Sequence, residues 1–157
     1  MAPSVMYIIP KQDNILQVDR MITGIGINHV EADRPAADPI TGMKFNINFD
    51  DVKVKGESVE ITYTFSANYE GGAKGDKSVG ELKIKGIVSA KETAETISQI
   101  NDAWGKKKTL PVKFAEDLIN LLNFECAARG TYLAGSIGLI APLPLTKAKL
   151  EETTQPK

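Results

Sequence analysis

Apolar and polar side chains alternate without a break from Val59 to Tyr69. Val59, Ile61, Tyr63, Phe65, Ala67 and Tyr69 fall on one side, and Glu60, Thr62, Thr64, Ser66 and Asn68 on the other. Successive residues of a strand point to opposite faces, so this period predicts a strand with one buried face. The pattern returns in VGELKIKGIV, where Leu82, Ile84 and Val88 oppose Glu81, Lys83 and Lys85. Upstream, Phe45, Ile47 and Phe49 alternate with Lys44, Asn46 and Asn48, which predicts a strand ending near Asp50-Asp51. QVDRMITGIGINHV is strand-like through Met21, Ile25 and Ile27, and the stretch EADRPAADPITG between these two has two prolines and no period. It reads as a long ordered loop or crossover.

The period then changes. In KETAETISQINDAW, Thr93, Ile97, Ile100 and Trp104 recur at helical spacing, and Gly105 stands where a helix C-cap is expected. After Pro111 comes FAEDLINLLNFECAARGTYLAGSIGL, with Phe114, Leu118, Ile119, Leu121, Leu122, Phe124, Cys126, Tyr132, Leu133 and Ile137 around more than half the helix circumference. A helix that wide in apolar character needs cover on two sides, and one small sheet supplies only one. The second cover is expected to be another subunit, with Leu118, Leu121 and Leu122 at the interface and a homo-oligomer, tetramer before dimer, as the result. Residues 1–14 read as a flexible arm, 15–150 as one folded domain and 151–157 (EETTQPK) as a disordered tail.

EGGAKGDKS at 70–78 invites a phosphate-loop reading, since a glycine-rich run there ends in Lys-Ser. A Walker-type loop needs a second Gly directly before the Lys, between a strand and a helix. Asp76 occupies that place, and the run joins two strands, so it is expected to be a hairpin turn with Gly71, Gly72 and Gly75 tolerating positive φ.

Composition narrows the function classes. At 157 residues, 42% apolar and 25% charged, the chain suits one globular domain. Nineteen basic against 20 acidic residues give a net charge of −1, and the densest basic cluster, Lys106-Lys107-Lys108, is no nucleic-acid stripe. One cysteine, Cys126, and no signal pattern favour a reducing cytosol. Charged and amide residues interrupt the apolar region 110–145, so no membrane insertion is expected. His29 is the only histidine, which leaves no histidine-based metal cluster and no Cys-His pair of known spacing. The carboxylate pairs Asp50-Asp51 and Glu116-Asp117 lack a third group, and Cys126 lies in an apolar helix where a thiol is inert. No enzyme chemistry, cofactor or metal is expected.

The order strand, proline-bearing crossover, antiparallel strands, short helix, long helix and proline-rich IAPLPL resembles the SecB-like family of export chaperones over roughly Leu16 to Leu145. The resemblance rests on FAEDLINLLNFECAARGTYLAGSIGL followed by IAPLPL, and on EADRPAADPITG at the place of the family's crossover loop. TLPVKFAED replaces the family's Cys-Pro-rich run, with Pro111 and Phe114 as nearest counterparts. The resemblance implies an α+β fold: a four-stranded antiparallel sheet with both C-terminal helices on one face, assembled as a dimer of dimers. It further implies ATP-independent holding of non-native polypeptides in apolar grooves. Ile27, Phe45 and Phe49 from the strands, with Trp104, Leu139, Ile140 and Leu143 near the helix end, are the polypeptide-binding residues so implied. Two alternatives stay open: a module of the same fold holding one specific partner, such as an antitoxin, and a small-ligand-binding module.

Overall fold

The computed structural model describes residues 21–143, so the arm expected at 1–14 and the tail expected at 151–157 lie outside the described residues. Strands β1 Met21–Asp33, β2 Ile40–Lys55, β3 Ser58–Gly71 and β4 Lys77–Lys91 precede helices α1 Ala94–Lys107 and α2 Val112–Ser136. They form one antiparallel sheet in the order β1-β4-β3-β2. β2, β3 and β4 are consecutive hairpins. β1 lies beside β4 at the far edge, so residues 34–39 carry the chain across the end of the whole sheet to β2. Six residues suffice, since four strands place the two edges only about 14 Å apart and an extended residue spans about 3.4 Å.

The glycine-rich stretch is the β3–β4 turn, as its context suggested. Gly72 and Gly75 take φ of +86° and +67°, and the Gly75 amide donates to the Gly72 carbonyl at 3.2 Å. Three boundaries differ from the sequence pattern. β2 runs past Asp50-Asp51 to Lys55 because a register shift between Phe49 and Asp51 absorbs one residue. That bulge returns Val52 and Val54 to the face of Phe49, so the alternation changes phase without ending. The crossover is shorter than EADRPAADPITG, because β1 and β2 extend into both of its ends. Gly105 lies inside α1, and the cap falls on Lys108, at φ +53°, whose amide donates to the Trp104 carbonyl at 3.1 Å.

Both helices bury residues in one core with a single face of the sheet. Val59, Ile61, Tyr63, Phe65, Ala67 and Tyr69 of β3 and Val79, Leu82, Ile84, Val88 and Ala90 of β4 are sealed from solvent. Ile97 and Ile100 of α1 join them, beside Phe114, Leu118, Leu122 and Cys126 of α2. The α2 residues recur every four positions, which puts them on one helical face. Thr93 caps α1, its hydroxyl accepting from the Thr96 amide at 3.3 Å. Leu118 and Leu122, expected at a subunit interface, therefore belong to the chain's own core, and only Leu121 of that trio is half-buried.

β1 is held close to β4 at one point by the absence of a side chain. A Cβ on Gly86 would collide with the Gly26 carbonyl of β1 and come within 2.8 Å of the Tyr63 hydroxyl oxygen. Gly86→Ala is expected to cost about 2 kcal/mol through displacement of β1, read as a lower urea midpoint with little change in slope.

Candidate polypeptide-binding surface

The helix-facing side of the sheet is covered unevenly. α2 packs on β3 and β4, and α1 on β2. The central strands are fully buried, whereas the inward rows of both edge strands stay half-buried: Met43, Phe45, Ile47 and Phe49 on β2, and Ile22, Ile25 and Ile27 on β1. Their registers put them on the apolar face. Phe45 pairs with Ala67, Ile47 with Phe65 and Phe49 with Tyr63, while Ile25 pairs with Val88 and Ile27 with Gly86. Phe45 also packs on Phe65 with ring centroids 6.1 Å apart. Val30 lies on the same inward side of β1, opposite Ile84, and is 44% exposed. The reverse face carries Thr62, Thr64, Ser66, Asn46, Asn48 and a mixture of Lys and Glu, with Ile87, 39% exposed beside Thr62, as an apolar exception.

Phe45 and Phe49 thus line one flank and Ile27 the other, with β3, β4 and α2 between them; these residues do not gather into one groove. Trp104 is half-buried in the last turn of α1, with the Lys108 ammonium 5.5 Å from its ring centroid. That distance suits a cation–π contact. Ile140 and Leu143, after α2, are 55% and 52% exposed, but Leu139 is only 5% exposed and packs into the core. Its neighbour there is Gly80, where a Cβ would meet Leu139 Cδ2 at 2.6 Å. Sequence spacing could not assign Leu139, because the turn after α2 decides which way each residue of the following run faces.

Two further groups of residues reach the surface beyond those expected from the sequence. Met43 and Ile47 share the period-two row of Phe45 and Phe49, so the alternation itself could have included them. Phe124 and Tyr132 project from α2 at 72% and 84% exposure, eight positions apart on the outward side with Ala128 between. Their i, i+4, i+8 spacing was legible, but the wide apolar circumference hid which part faced out.

Beneath α2, Tyr63, Cys126 and Gly26 tie helix, central strand and edge strand together. The Tyr63 hydroxyl donates to the Gly26 carbonyl at 3.4 Å and interacts with the Cys126 thiol. Burial pushes the Cys126 pKa up to about 11, opposed by its hydrogen bond to Tyr63, and burial also raises the Tyr63 hydroxyl. Asp50, from one of the carboxylate pairs, accepts from the Thr64 hydroxyl at 2.6 Å, and His29 is exposed beside Glu31. Among the described residues no group of three or more His, Cys, Asp or Glu side chains is placed to hold a metal, and no helix is long and apolar enough to cross a membrane.

No protein-family model matches the chain, and no curated protein matches it in sequence. Among solved structures, the chain is similar to the Mycobacterium tuberculosis SecB-like chaperone Rv1957, determined in complex with a ChAD peptide from the HigA1 antitoxin. The similarity covers 88% of this chain and 93% of that one, with a TM-score of 0.50 and 14% sequence identity. The fold is SecB-like. In this SecB-like fold the crossover at 34–39 and the exit of α2 lie together at one end of the sheet, and the half-covered strand rows run away from that end.

The buried thiol gives a pH signature. An acid whose folded pKa is raised stays protonated in the native state while the unfolded chain ionises, so the unfolded state binds fewer protons and stability falls as pH rises. For Cys126 the loss begins near its ordinary value of 9.0 and is complete by about 11. Melting temperature is expected to fall across that window, and a thiol reagent at pH 8 is expected to leave Cys126 unmodified until the chain unfolds. Reaction at the rate of a free thiol in the native protein would contradict the buried environment.

Proposed function

We propose that the protein holds non-native polypeptides without nucleotide, by covering their apolar segments with the half-buried rows of its sheet and the flanks of α2. The observation that carries this reading is the uneven cover of one sheet face. Apolar side chains that are only half desiccated gain free energy from any further burial, at about 25 cal/mol per Å² removed from water. Both rows belong to edge strands. β2 has no strand partner on its outer side among the described residues, so an extended client can also lie along it and use its backbone groups. No step in this scheme needs a covalent bond or a cofactor.

The outward stripe of α2, Leu121, Phe124, Ala128 and Tyr132, is the surface we assign to a second subunit, replacing the expected trio of which Leu118 and Leu122 are core. That stripe supports homo-oligomerisation, as a dimer or tetramer. Phe124→Asp and Tyr132→Asp are expected to lower the mass found by light scattering while leaving circular dichroism unchanged. A second reading keeps the fold and narrows the client to one dedicated partner. It is favoured by the similar chaperone having been solved with an antitoxin peptide.

Suppression of aggregation of an unrelated, chemically unfolded protein, measured by light scattering without ATP, tests the proposal. Wild type is expected to suppress it. The variant Met43→Lys with Ile47→Lys retains apolar stems but places two charges in the β2 row, and is expected to weaken client affinity roughly ten-fold, about 1.4 kcal/mol. A folded double variant with full activity would move the client away from β2. Wild type that suppresses nothing, yet binds one partner stoichiometrically, would put the single-partner reading first.

A further inference from the structure

The chain after α2 is held down more firmly than an exit loop requires. Gly138, at φ +71°, ends the helix with the Leu139 amide donating to the Ala134 carbonyl at 2.8 Å and the Gly138 amide to the Gly135 carbonyl at 3.4 Å. These two bonds reverse the chain in a Schellman motif. The next residues run back over the end of the sheet. Leu139 fills a notch made by Gly80 of β4, and Pro142 fills another made by Gly130 of α2, where a Cβ would meet Pro142 Cγ at 2.7 Å. Between them the Ile140 carbonyl accepts from the Tyr69 hydroxyl at 2.7 Å.

The crossover fastens this segment from the other side. The Arg34 guanidinium donates to the Gly138 carbonyl and, through Nε, to the Ala36 carbonyl at 3.4 Å. α2 has no basic residue in its own last turn, so Arg34 also supplies the cation that a helix C-terminus favours. The crossover is itself anchored, since Lys77 Nζ lies 2.7 Å from Asp38 Oδ2 and lowers the pKa of that carboxyl. Tyr69, which holds Ile140, pairs across the sheet with Met43 at the start of the half-buried β2 row.

We infer that residues 139–142 are a plug that occupies, in cis, the crossover end of the polypeptide-binding surface, with Arg34 as the positioning residue that latches it. The inference rests on the binding reading above. The plug has the chemistry of a client, an extended apolar segment with a proline, seated in two glycine notches that an apolar residue and a proline three positions on would fit. Ile140 and Leu143 stay exposed at its sides. A client reaching this end of the surface displaces the plug, and the strength of the latch sets how readily it does so.

Hydrogen exchange of the full chain, read by mass spectrometry, tests the latch without any client. In Arg34→Gln, the hydrogen-bonded amides of Leu139 and Leu143 are expected to exchange roughly ten-fold faster than in wild type, with those of 118–130 unchanged. A labelled peptide of residues 137–145, IGLIAPLPL, serves as the probe in trans. It is expected to bind Arg34→Gln more tightly than wild type by a similar factor. Unchanged exchange at Leu139 and Leu143 would overturn the inference. So would acceleration spreading equally through α2, which would make the segment an inseparable part of the core, or equal peptide binding by both proteins. Failure of wild type to suppress aggregation would strike the function proposed above and leave these exchange rates where they are.

Discussion

An α-helix with its side chains is about 10 Å wide, while four hydrogen-bonded strands span about 19 Å, so one helix covers two strands and no more. That mismatch organises the molecule. α2 lies on β3 and β4, whose inward residues are sealed, and the rows of β1 and β2 are left at half cover. α1 packs on β2 and offsets part of the deficit, burying Ile97 and Ile100, but its fourteen residues are too few to close the remainder. The surface proposed for clients is the width that a single long helix cannot reach.

The contacts that fix α2 in its central position are correspondingly specific. The Cys126 thiol interacts with the Tyr63 hydroxyl, and Tyr63 reaches the Gly26 carbonyl, so the helix, the middle of the sheet and the bulged edge strand share one polar tie. The inward residues of α2 shrink along its length from Phe114 and the leucines to Cys126, Gly130 and Ala134. Small residues at the far end leave room for Pro142 and the returning chain. Larger side chains there would lift the helix end and open the core that Leu139 closes. The crossover loop, tied through Asp38 to Lys77 and through Arg34 to Gly138, joins both edges of the sheet to the helix exit.

Much of this was legible in the chain. Strict alternation located β3 and β4, and the failure of 70–78 as a phosphate loop followed from Asp76 and its two flanking strands. The length of β2 was hidden because one bulged residue reversed the phase of its pattern. Helical periodicity showed that α2 is apolar around more than half its circumference, but not which leucines face the sheet, and so Leu118 and Leu122 were expected at a subunit interface. The burial of Leu139 was hidden for a related reason: Gly138 at positive φ turns the chain, and no local pattern records the direction. The Lys77–Asp38 pair joins residues far apart in sequence, and Lys77 read as a plain turn residue. Ile27 and Phe45 share an inward face, yet only the strand order shows that they line opposite flanks.

In the proposed scheme clients dock on the helix side of the sheet, along the half-covered rows. Photo-crosslinking addresses this directly. A photoreactive side chain is placed at Ile47 or Ile25 on the apolar rows, or at Asn46 or Thr64 on the reverse face, and each protein is irradiated with a chemically unfolded, reduced client. Client adducts are expected from positions 47 and 25 and few from 46 and 64. Adducts formed equally from both faces, or chiefly from Asn46 and Thr64, would contradict this scheme.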